Sequence, residues 1–156
     1  MSSSAPKPKP KSKPVPKPKP VKGPTDDRGV PFPTKSGYLK GYPALAVGGY
    51  SSVTVDNSQN SSDVFVKLFT LDTTPPKAAS VFFIRAHDKF TVTDIQPGNY
   101  DIRYRDLTSG GLSRTEQFNL KEVKTARGVE FSRLRLTLYK VLDGNMQIQP
   151  ISENEF

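Results

Sequence analysis

Two pairs of arginines are spaced for recognition chemistry. Arg103 and Arg105 alternate with Tyr100, Ile102 and Tyr104 in NYDIRYRDL, and Arg133 and Arg135 alternate with Leu134, Leu136 and Leu138 in GVEFSRLRLTLYKV. In an extended chain a period of two sends alternate side chains to opposite faces. Guanidinium groups on one face suit carboxylate or phosphate. With Tyr139 beside them, they are the residue types that interfaces favour. If the two strands are neighbours, four guanidinium groups meet on one sheet surface and bind a protein partner. The opposing reading is cross-strand pairing with Asp101, Asp106, Glu116 or Glu130.

Catalytic constellations are weaker. His87 is the single histidine and lies in RAHDKF, between two apolar runs. Its neighbour Asp88 points away from it in an extended chain. A chain without cysteine offers no thiolate nucleophile, thiolate metal site or disulfide. No serine sits in a nucleophile elbow, and no glycine pattern cradles phosphate. Asp26, Asp27, Asp56, Asp63 and Asp72 lack calcium-loop spacing. The expectation is a protein that is not an enzyme and uses no cofactor or metal.

The net charge of +8 is unevenly distributed. Residues 1–36 carry nine basic groups against two acids, and ten of the fifteen prolines. The other 120 residues carry fourteen basic and thirteen acidic groups. APKPKPKSKPVPKPKP, residues 5–20, alternates charge with proline and has almost nothing apolar to bury. Proline fixes its own φ and disfavours helix before it, which predicts a disordered arm near polyproline II. Three uses follow: a stiff spacer, adhesion of Lys7, Lys9, Lys11, Lys13, Lys17 and Lys19 to nucleic acid or an anionic surface, and a ligand for a proline-reading domain.

The elements that must position these residues are short. Apolar alternation predicts strands over 50–57, 63–72, 80–86, 89–95, 99–107, 112–120, 128–141 and 146–151, separated by turn-forming residues. The only helical candidate, 118–126, is better read as loop or strand. The pattern predicts an all-β fold, an antiparallel β-sandwich of seven to eight strands. Phe65, Phe69, Phe83, Phe90, Tyr100 and Tyr104 are expected to fill much of its core. The organisation reads as arm 1–36, an apolar linker or docking segment 37–49, and a sandwich 50–156. No apolar run reaches the ~20 residues that span a bilayer.

KFTVTDIQPGNYDIRYRD resembles the strand–turn–strand signature of transthyretin-like sandwiches, which include carboxypeptidase regulatory domains. Ile95, Pro97, Gly98 and Tyr100 occupy the signature positions over about eighteen residues. The resemblance implies an accessory, non-catalytic domain. It also implies a candidate Lys–Asn cross-link, between Lys67 and Asn145 or Asn154 with Asp101 or Glu116 assisting. The functional expectation is a binding or assembly module of a bacterium or its phage. The alternatives are an anionic-polymer binder and an accessory domain of a longer envelope protein. The location is cytoplasmic if the chain is complete, and the envelope if an export segment lies upstream.

Overall fold

The computed structural model describes residues 24–138 and 148–156. The chain divides into two compact units, Met1–Phe32 and Pro33–Phe156. In the first, the described residues form a tight turn. Thr25 bridges Pro31, and the Asp26 carboxylate accepts the backbone N–H groups of Arg28 and Val30 at 2.8 and 3.0 Å. Aspartate suits such a turn because its short side chain reaches backbone donors just ahead.

The second unit is an all-β sandwich. Its strands are β1 (Gly37–Tyr38), β2 (Val47–Asp56), β3 (Val64–Thr70), β4 (Lys77–Ile84), β5 (Lys89–Ile95), β6 (Gly98–Asp106), β7 (Leu112–Thr115), β8 (Phe118–Leu120), β9 (Glu122–Thr125), β10 (Gly128–Phe131), β11 (Arg133–Thr137) and β12 (Ile148–Pro150). A short 3-10 turn covers Glu153–Glu155. The larger sheet runs β1-β4-β3-β6-β7-β12, with β8 also pairing β6. The smaller runs β11-β2-β5, and β9 and β10 form a separate hairpin. Among the described residues no helix is long and apolar enough to cross a membrane.

Alternation builds the core. Val53, Val55, Val92, Ile95 and Leu136 from the smaller sheet pack against Val64, Val66, Leu68, Phe82, Ile84, Ile102 and Tyr104 from the larger one. Burial of this apolar surface is the main driving force for the fold. The turn after β5 uses Pro97 and Gly98, and the Tyr100 hydroxyl closes it by donating to the Gln96 carbonyl at 2.7 Å. Asp72 straps the same corner, accepting the Asn99 backbone N–H at 3.1 Å and its side-chain amide at 3.0 Å.

Three expectations change. Phe65, Phe69 and Phe83 are buried but stand outside the inter-sheet core, because they alternate with the core residues of β3 and β4. Strand 112–120 is divided at Glu116–Gln117, and 128–141 is divided at Ser132, where the chain leaves the hairpin for the smaller sheet. β11 pairs β2 in parallel, Leu134 opposite Val53 and Leu136 opposite Val55. Parallel pairing needs a long crossover, and here most of the domain lies between the two strands. Residues 37–49 run along a sheet edge. β1 pairs β4, Leu39 N–H donates to Val81 and Leu45 N–H to Ala79, so the segment lines the edge of the larger sheet before entering β2.

Candidate functional site

The four arginines do not meet. Arg103 and Arg105 lie on β6 in the larger sheet, and Arg133 and Arg135 lie on β11 in the smaller one. Tyr139 and Lys7, Lys9, Lys11, Lys13, Lys17 and Lys19 fall outside the described residues. Arg103 points away from the core, as alternation requires, yet is only 6% exposed. Its Nε binds Asp101 at 2.9 Å, it donates to the Glu155 carbonyl at 2.6 Å, and it stacks on the Phe69 ring at 4.1 Å. Arg105 pairs with Glu153 at 2.6 Å. The segment Ser152–Phe156 therefore covers this outer face, which a period-two pattern alone reads as solvent-facing.

Arg135 bonds Asp56 across the parallel pair at 2.6 Å. The Asp56 carboxyl is lowered to about 2, first by hydrogen bonding from Ser58 and then by Arg135, against the opposing effect of burial. Lys67 is buried beside Arg103, as a cross-linking lysine would be. Its ammonium donates to the Phe156 main-chain oxygen at 2.7 Å, while Asp101 engages Arg103. Glu116 is exposed, Asn154 Oδ1 is bonded by the Ser152 hydroxyl, and Asn145 is outside the described residues.

His87 sits at the exposed turn after β4, with Nδ1 3.3 Å from the Ser58 carbonyl. Among the described residues no three His, Asp or Glu side chains are grouped to hold a metal.

Within the second unit, exposed apolar groups gather around the first half of β2. Tyr50 is 56% exposed and stacks on Phe131, itself 36% exposed, with ring centroids 5.9 Å apart. The Arg133 guanidinium lies 5.0 Å from the Phe131 ring. Val123 on the neighbouring hairpin strand is also exposed. Glu122 fixes the pair by accepting the Tyr50 N–H at 3.2 Å. Three residues before Tyr50, Val47 lines an open recess of about 450 Å³ with Tyr38, Tyr42, Pro43 and Asp94.

This recess is held by backbone devices. Val47 and Ser51 both oppose Ile95, so β2 bulges where it crosses β5. Ala46 and Asp94 take positive φ, 56° and 59°. Such values are uncommon outside glycine and re-aim a side chain. Gln96 ties the two sides: its N–H donates to the Ala46 carbonyl at 2.8 Å and its side-chain amide to the Val47 carbonyl at 2.7 Å.

Sequence reasoning marked 37–49 as a docking segment but not Tyr50, Phe131 or Asp94. The available signal was GYLKGYPALAVGGY, three tyrosines spaced by glycines in a run too irregular for a buried strand. Comparison with protein-family models, with curated proteins and with solved structures finds no match to this chain.

Proposed function

We propose that this protein is a non-catalytic binding or assembly module that docks a protein partner through the aromatic surface at the start of β2. The observation that carries the reading is the Tyr50–Phe131 stack, held by Glu122 and edged by Arg133, with over half of Tyr50 left in solvent. Aromatic and arginine side chains are the groups that dominate binding energy when a partner excludes water from them. Arg133 contributes here, on β11, rather than in a cluster with Arg103 and Arg105. An accessory role of this kind is also what the transthyretin-like resemblance implies. The lysines of the arm support a rival in which residues 1–36 hold nucleic acid or an anionic surface.

The test is affinity purification of the full chain from its native cell, beside Tyr50→Ser/Phe131→Ser and a control, Arg114→Ser on the larger sheet. The reading expects one stoichiometric partner, kept by the control and lost by the double variant with unchanged circular dichroism. A partner retained by the double variant removes the surface from consideration. Recovery of nucleic acid alone, released by 0.5 M salt, favours the rival.

A further inference from the structure

The recess beside Val47 has the chemistry of a polyproline site. A polyproline II segment presents flat pyrrolidine faces and exposed carbonyls, and carries few N–H donors. What receives it elsewhere is a groove of aromatic rings, with an acid at the rim if the peptide is basic. Tyr38, Tyr42 and Pro43 supply flat surfaces here, and Asp94 is the one charged residue of the lining. At about 450 Å³ the recess is within the range of sites that hold a few residues or a small ligand.

The aromatic wall is fixed in place. Tyr38 meets Phe90 edge-on with centroids 4.9 Å apart, and its hydroxyl accepts the Thr93 N–H at 3.2 Å. Its ring is anchored from below yet 52% exposed. A pre-set ring forfeits little freedom when a ligand lands on it. Positive φ at Asp94 turns that carboxylate out of the β5 alternation, where it is exposed beside Thr93.

The matching ligand is written in the same chain. Residues 5–20 hold six lysines, seven prolines and no acid. At ~3.1 Å per residue such a segment reaches about 50 Å. It is longer than the recess and offers several equivalent Lys-Pro registers to it. Lysines can face Asp94 and the tyrosine faces while prolines lie against the rings. Lys40, on the same segment as Tyr38, is not part of the lining and leaves the sign of the site negative. Like charges and prolines favour extension over compact turns in such a sequence, which favours a receiver on a second copy.

We infer that the Tyr38–Tyr42–Asp94 recess binds the Lys/Pro segment 5–20 of a second copy, so that the protein assembles arm-to-domain. The contact goes beyond the Tyr50–Phe131 surface proposed above, and the two fail separately. Self-association of the full chain is followed by sedimentation velocity at 0.15 M salt. Two single-site groups are compared with it: Asp94→Asn with Tyr42→Ser in the recess, and the six lysines of residues 5–20 replaced by serine. Asp94→Asn alone is included because asparagine tolerates positive φ and keeps the fold.

The expected result is concentration-dependent association of the native chain, weakened tenfold or more by either group and at least threefold by Asp94→Asn alone. Mixing the arm variant, whose recess is intact, with the recess variant, whose arm is intact, restores a mixed complex. A labelled peptide of residues 5–20 binds the arm variant and not the recess variant. A native chain that stays monomeric, or variants that associate as it does, overturns the inference. So does a mixture that forms no mixed complex.

Discussion

Lys67 Nζ donates to the main-chain oxygen of Phe156 at 2.7 Å, and the same ammonium stands 4.1 Å from the Phe156 ring centroid. One residue thus satisfies a buried cation twice. Phe156 also packs edge-on against Phe65, centroids 5.1 Å apart. Truncation to Phe156→Ala removes the ring but leaves the main-chain oxygen. It should cost about 1–2 kcal/mol, from half-buried aromatic area and the lost ring contacts. Urea denaturation should show the midpoint fall. Glu153→Gln, which removes only an exposed partner of Arg105, should leave it unmoved. Equal midpoints for Phe156→Ala and the native chain would mean the segment adds nothing to the outer face.

Asp56 is the clearest source of acid sensitivity. Its carboxyl is held at about 2, below the ordinary 3.8, by Ser58 and Arg135. A lowered folded value means stability is fully present above the unfolded value and is lost as pH falls from about 4 to 2. The contribution is on the order of 1–2 kcal/mol. Unfolding free energies at pH 6 and pH 2.5 should therefore differ less in Asp56→Asn than in the native chain. An identical difference would assign the acid response to other carboxylates.

The fold was legible where one physical rule acted alone. Tyr100 and Tyr104 follow period two and enter the core as read, whereas in β3 the period marked two apolar faces and it is Val64, Val66 and Leu68, not Phe65 and Phe69, that turn inward. The rule failed where a second layer covers a face. Arg103 and Phe65 obey alternation, yet Ser152–Phe156 buries them, and such a cover carries no periodic signal. Register between distant strands was likewise hidden. Nothing in SRLRLTL says whether its partner runs parallel or antiparallel, so neither the β11–β2 pair nor the separation of Arg133 from Arg103 was readable. The aromatic surface was partly visible, because tyrosines among glycines pack poorly inside a sandwich. Its assembly depends on the β2 bulge, which two glycines permit but do not announce.

Asn57 organises a buried polar corner. It is fully buried, and its side-chain amide donates to the Ser62 carbonyl at 2.9 Å and the Arg85 carbonyl at 3.0 Å. Its oxygen accepts the Asn60 amide at 2.8 Å, and Asn60 donates in turn to the Leu138 carbonyl at 2.8 Å. Asn57→Asp keeps the shape but turns two donors into an acceptor that faces two carbonyls. The loss should be about 3 kcal/mol or more. Calorimetry should find the melting temperature lowered by roughly 10 °C. Asn119→Asp, at an exposed position, should shift it far less. A native-like melting temperature for Asn57→Asp would show that water or a shifted backbone replaces the network.

Gly49 sets how closely β2 can cross β5. A methyl group there would land on the Ile95 carbonyl, a backbone atom that cannot rotate aside. Gly37 has open space around its Cβ position and no positive φ. Gly49→Ala should therefore destabilise by roughly 2 kcal/mol or more, since the strands must separate at the bulge. Gly37→Ala should be neutral or slightly stabilising, because alanine restricts the unfolded chain. The same separation would displace Val47 and Tyr50, which lie two before and one after Gly49. Quenching of tyrosine fluorescence by acrylamide should then rise in Gly49→Ala and not in Gly37→Ala. Equal stability of the two variants would show that β2 and β5 adjust freely, and the rigid recess wall would lose its support.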